Sequence, residues 1–149
     1  MENLLVSACL LGNLCKYNGG TNTLPEEVLK ALREKYFLIP VCPETSGGLP
    51  IPRQPSERQG QRVVNKIFVD VTAEYKKGAE HALVLAKRYS CSKALFKEKS
   101  PSCGSGKIYD GTFSSTLVSG DGVTSELLKK NGIEIFGESE VSQLINCDK

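Results

Sequence analysis

Four short apolar runs, at residues 4–8, 37–41, 94–96 and 133–136, alternate along the chain with segments of helical periodicity. Each run is too brief for a helix and is bounded by turn-forming residues, so the spacing predicts strands. After the first run, Leu24, Val28, Leu32 and Tyr36 recur every four residues and leave Glu27, Lys30, Arg33 and Glu34 for the wet side. Thr23, with Pro25 and then Glu26 following, reads as the capped start of that helix. Thr72 is placed to cap a second helix running to about Tyr89, with Tyr75, Ala79, Ala82, Leu83 and Ala86 as its apolar face. Residues 123–130 predict a third, stopped by Asn131-Gly132, and Ser139 would cap a short last one with Val141, Leu144 and Ile145 inward. The Gly- and Pro-rich stretches from 47 to 60 and from 104 to 122 read as irregular loops. Strands separated by helices pair in parallel, because each crossover brings the chain back to the same end of the sheet. The expected fold is therefore α/β: one domain over residues 1–149, Rossmann-like, with a mainly parallel sheet and helices on both faces.

Such sheets bind ligands beyond the carboxyl ends of their strands. Cys9 and Cys42 directly follow two of the predicted strands, and Cys103 lies in the stretch Lys97-Glu98-Lys99-Ser100-Pro101-Ser102-Cys103-Gly104 after a third. Residues far apart in the chain can thus share one crevice. A chain of 149 residues buries about 70% of its unfolded surface without help from disulfides, so its six cysteines need another reason. Met1-Glu2-Asn3 lacks the basic start of a signal peptide, and no apolar run approaches the roughly 20 residues that span a bilayer. A cytoplasmic protein with no membrane partner and with reduced thiols is expected, where clustered cysteines point to metal or catalysis. A net charge of +2, with Lys and Arg scattered among acids, gives no expectation of nucleic-acid binding. Arg53, Arg58 and Arg62 form either a solvated loop or a local basic face for a phosphate. There is no C-x-x-C, and Cys9 with Cys15 is only a C-x5-C pair. Spacing alone therefore leaves open small buried hydrophobes, a zinc module built on Cys9, Cys42, Cys103 and Cys15, a Cys9–Cys15 exchange pair, or a shared cluster. Cys91 and Cys147 read as small buried hydrophobes, and the single histidine, His81, as a surface or packing residue.

Four motifs in fixed order narrow the choice. Ser7-Ala8-Cys9-Leu10-Leu11-Gly12, Lys16-Tyr17-Asn18-Gly19-Gly20, Cys42-Pro43-Glu44 with Gly47-Gly48-Leu49-Pro50-Ile51-Pro52-Arg53, and residues 97–104 together resemble the DUF523 family over essentially the whole chain. Its characterised members are iron–sulfur-dependent thiouracil desulfidases. The resemblance implies a [4Fe-4S] cluster held by Cys9, Cys42 and Cys103, with one iron free of protein ligands; Cys15 stands where the family pattern does not demand cysteine. It further implies non-redox desulfuration of thiouracil or a related small thiolated base, converting C=S to C=O with release of sulfide. Glu44 would be the base that activates water, and Ser100 the hydroxyl that relays a proton, with Ser102 its close rival. The other readings are a surface carboxylate for Glu44 and a turn hydroxyl bonded to nearby backbone for Ser100. Lys97 and Glu98 are expected to pair with each other or with solvent, Pro101 to act as a rigid spacer, and Gly104 to let backbone pass close to the cluster. The family often has Arg-Tyr-Asp-Gly where this chain has Lys16-Tyr17-Asn18-Gly19, a difference that bears on substrate, with thiolated nucleosides, nucleotides or tRNA as the alternatives.

Overall fold

The computed structural model describes residues 1–146, so the expectation for Cys147 falls outside it. In chain order the elements are β1 (Glu2–Ser7), α1 (Glu26–Lys35), β2 (Tyr36–Val41), α2 (Pro43–Ser46), β3 (Ser56–Gln59), β4 (Arg62–Asn65) and α3 (Thr72–Arg88). They continue with β5 (Lys93–Phe96), β6 (Lys107–Tyr109), β7 (Leu117–Ser119), α4 (Val123–Lys130), β8 (Glu134–Gly137) and α5 (Val141–Ile145).

The expected sheet is formed by β2, β1, β5 and β8 in that spatial order, every pair parallel. Leu5 stands opposite both Ile39 and Ala94, and Leu95 opposite Phe136. Because successive side chains point to opposite faces, Leu4 and Val6 go one way and Leu5 the other. Leu4, Val6, Leu95 and Phe136 pack with Leu32 of α1 and Leu144 of α5. On the other face Leu5, Ala94 and Phe96 pack with Ala82 and Ala86 of α3 and Leu128 of α4. Both faces are covered, which is why β1 reads as an unbroken apolar run rather than an alternating one.

After β1 the chain adds β2 on one side, and the next crossover adds β5 on the other. With right-handed crossovers, this reversal sends α3 to the face opposite α1 and opens a crevice beyond the ends of β1 and β5. Cys9, Cys42 and the Cys103 loop all leave the sheet at that end.

Several expectations are corrected in detail. Tyr36 opens β2 instead of closing α1. Thr23 does not cap α1; its hydroxyl meets that of Thr21 at 3.0 Å. Nor does Thr72 cap α3: its hydroxyl accepts from Val63 N at 2.8 Å, while the Asp70 carboxylate accepts the Thr72 N–H at 2.9 Å. Ser139 gives its hydroxyl to Glu98 rather than to α5. The first loop runs on into a hairpin, β3 with β4, whose second strand lies beyond residue 60, and the second loop contains another, β6 with β7, both antiparallel. Their strands are three or four residues long, with β3 polar, β7 exposed and only Val63 and Val64 of β4 and Ile108 of β6 buried, so they are too short to carry the apolar periodicity that marks a strand. The one-turn helix α2 was also unforeseen.

Candidate active site

Cys9 sits in a single 3-10 turn, Ala8–Leu11, that follows β1 and is closed by Gly12 at φ 100°, a left-handed conformation that favours glycine. Its carbonyl accepts from Thr21 Oγ1 at 2.8 Å and Asn22 N at 3.0 Å, and its Sγ lies 3.4 Å from the donating Asn22 Nδ2. Cys42 precedes α2, where its carbonyl accepts from Ser46 N at 2.9 Å and Thr45 Oγ1 at 3.1 Å. Pro43 occupies the first position of that turn, where a missing N–H costs nothing. The turn is pressed so closely on α3 that a Cβ at Gly78 would overlap the Pro43 carbonyl. Cys103 belongs to a turn seated on the start of α4, with Val123 N donating to Pro101 O and Thr124 N to Ser102 O, both at 2.9 Å. Ser125 Oγ adds a bond to Cys103 O at 2.7 Å.

These three segments border one cavity of about 520 Å³, lined among others by Cys9, Cys15, Cys42, Cys103, Glu44 and Ser100. The structure thus brings together all five residues singled out in the sequence and adds Cys15. Cys15 thiol hydrogen bonding draws Cys9 down to about 7 and Cys42 to about 5, because a donor favours the thiolate it faces. The same contacts hold Cys15 itself protonated by raising its own value. Burial pushes Cys103 up, against a hydrogen bond from Ser7. Ser7 is buried, and its Oγ accepts from Lys97 N at 3.0 Å, which ties the end of β1 to the end of β5.

Glu44 is no surface carboxylate. Its side chain is 16% exposed and ion-paired with Arg53 Nε at 2.8 Å. Burial raises its carboxyl, while Arg53 pulls the other way. Tyr75 lines the same cavity beside Glu44 and Ser56, and its phenol favours the charged form of the carboxylate. Ser100 Oγ accepts backbone N–H groups from Ser102 and Cys103, both at 3.1 Å, so it is a turn hydroxyl that also borders the cavity. With those bonds accepted, its own proton is available to donate. Ser102 is buried at 2.8 Å from Thr124 Oγ1, away from the lining.

Other expectations are revised. Lys97 pairs with Glu138 at 2.9 Å, and the Glu98 carboxylate accepts from Ser139. A Cβ at Gly104 would come within 2.6 Å of Ser100 O, so that glycine serves the packing of its own turn. The three arginines share no basic face: Arg53 holds Glu44 and Arg58 pairs with Glu126 at 2.6 Å, both covered, whereas Arg62 stays largely solvated and pairs with Asp70 at 3.0 Å. Cys91 is buried in the core and His81 is exposed, as expected. Arg53, Tyr75, Ser7 and Asn22 went unrecognised as site residues. Ser7 and Arg53 lie inside the quoted motifs, whereas Tyr75 reads as part of an apolar helix face and Asn22 carries no signal.

Among the described residues no three His, Cys, Asp or Glu side chains converge tightly enough for a single metal ion, and the four-thiolate zinc reading needs such a grouping. A polynuclear cluster draws on thiols spread around a wider rim. Two thiols biased toward thiolate, with a third across the same cavity, suit an iron–sulfur group as a donor set.

A parallel α/β sheet with thiols and a buried carboxylate gathered at its switch point defines a cofactor-binding enzyme of the α/β class. The family model of 2-thiouracil desulfurase matches residues 4–140. The solved structure of the [4Fe-4S]-dependent thiouracil desulfidase TudS superposes with a TM-score of 0.92 at 45% identity, covering 97% of this chain and 95% of that one. The uncharacterized protein YbbK of Bacillus subtilis (strain 168) is 41% identical over 152 residues, 95% of this chain and 99% of YbbK. The chain belongs to the 2-thiouracil desulfurase family.

Proposed function

We propose that the protein is a cytoplasmic enzyme that hydrolyses thiouracil or a closely related thiolated base, replacing C=S by C=O and releasing sulfide with no net change in oxidation state. The observation that carries this reading is the shared cavity of Cys9, Cys42, Cys103, Glu44 and Ser100 in a chain 45% identical to a [4Fe-4S]-dependent thiouracil desulfidase. Cys9, Cys42 and Cys103 would hold the cluster. When bound by three thiolates, a [4Fe-4S] cluster supplies an iron with an open position, a soft Lewis acid for a thiocarbonyl sulfur.

The side chains of the chain divide the proton chemistry. Glu44 takes a proton from the water that attacks the carbon bearing sulfur. Its contact with Arg53 opposes the effect of burial and keeps the carboxylate available as a base. Ser100 donates its hydroxyl proton toward the ring or the departing sulfur, since its oxygen is already engaged by two backbone N–H groups. Water supplies the oxygen of the product and both protons of hydrogen sulfide, so atoms and electrons balance.

Anaerobic reconstitution with iron and sulfide, followed by assay for sulfide release from thiouracil, tests the reading. Stoichiometric uracil and sulfide are expected from the wild type, and no turnover from Glu44→Gln with a normal cluster chromophore. Absence of sulfide release from a fully loaded wild-type protein refutes the assignment.

A further inference from the structure

The segment between α2 and β3 carries an arginine, Arg53, with all three guanidinium nitrogens engaged. Arg53 Nε donates to Glu44 Oε1 at 2.8 Å, Nη1 to Pro50 O at 3.2 Å and Nη2 to Cys15 O at 3.0 Å. Its backbone N–H donates to Tyr17 O at 2.7 Å. The side chain is 7% exposed. An arginine this covered, spending two arms on carbonyls, is not a mobile counter-ion. It is a fixed point shared by the loop that follows β1 and the turn that follows β2.

We infer that Arg53 is the positioning residue for Glu44, holding its carboxylate in register with the segment that carries Cys9 and Cys15. The inference rests on Glu44 as the base and adds what sets its place. Charge alone is insufficient for this task. A lysine ammonium is a single point on a flexible stem and cannot meet three acceptors in one plane, whereas the guanidinium presents its donors in a rigid fork. Tyr75, which also contacts Glu44, limits the carboxylate from the side of α3. A base held at two points reacts from one geometry, and displacement of a catalytic group by about 1 Å lowers turnover by about 100-fold. Because Arg53 acts through Glu44, its loss should spare substrate binding.

The test uses reconstituted Arg53→Lys and Arg53→Gln holoenzymes beside Glu44→Gln, with thiouracil as substrate. Both Arg53 variants should lower kcat by about 10- to 100-fold with KM within about twofold of wild type. Iron per chain and the visible absorption of the cluster should match wild type. A kcat within about twofold of wild type in Arg53→Lys, with Glu44→Gln inactive, overturns the positioning role and leaves the base assignment standing. Turnover in Glu44→Gln instead removes the base assignment on which the role depends. Loss of iron or of fold in both Arg53 variants also overturns it, since Arg53 would then belong to the scaffold of the cysteines.

Discussion

At the scale of single residues, the five described cysteines separate into different physical environments. Cys9 and Cys42 border the cavity and are drawn toward the thiolate by the thiol of Cys15, while Cys91 is packed among Leu5, Ala94 and Leu128. Cys9→Ala, Cys42→Ala and Cys103→Ala should each lose most of their iron after anaerobic reconstitution, and Cys91→Ala should keep the wild-type content. Equal iron in all four variants would contradict the ligand set. The ligand candidates were legible in the sequence because each follows the end of an apolar run, a position that parallel sheets reserve for function. Arg53 was not, because an arginine among Gly and Pro looks the same in sequence whether its fork is solvated or spent on buried partners. Tyr75 shows the same limit from the other side, since a helix-face aromatic gives no sign that its hydroxyl reaches a carboxylate.

Elements transmit these positions. The turn α2 carries Glu44, begins directly after Cys42 and rests on α3, where Gly78 admits the Pro43 carbonyl. Gly78→Ala should cost about 1–3 kcal/mol in urea denaturation of the cluster-free protein, because backbone has to move to admit the methyl group. The same variant should bind less iron than wild type, as α2 seats the proposed ligand Cys42 that immediately precedes it. At the other end of α3, Asp70 accepts the Thr72 N–H and pairs with Arg62, and hydrogen bonding to Thr72 is the main reason its carboxyl falls to about 2. A folded value below the unfolded one of about 3.9 stabilises the fold above that pH and loses the effect as pH falls toward 2. Asp70→Asn should therefore be less stable than wild type at neutral pH, and the gap should narrow when denaturation is repeated between pH 4 and pH 2. A gap that stays constant across that range would contradict the role of the charge. The helices other than α2 were legible from their apolar pattern, but not their caps. Thr23 and Thr72 each had the right residue type in the right place, and each found a closer partner elsewhere.

Across the whole molecule, the four-stranded sheet and its order of layers followed from the alternation of apolar runs and amphipathic segments. The two hairpins did not, since strands of three or four residues are too short to show an alternation, even where β4 buries Val63 and Val64. The proposed ligands leave β1, β2 and β5, three neighbouring strands of one sheet. Loading should raise the melting temperature of the wild type by several degrees, because a group that binds only the folded chain stabilises it. Cys42→Ala should show no such rise under the same treatment. The hairpins contribute Ser56, Glu57 and Tyr109 to the cavity lining, while the thiols come from the strand ends and the adjoining turns. On the proposed ligand set, the groups that would hold a cofactor and the hairpin side chains that face what approaches it come from separate parts of the chain. Substitutions in β3 and β6 can reshape the entrance without altering the register of a single sheet strand, so a change of substrate need not be accompanied by a loss of fold.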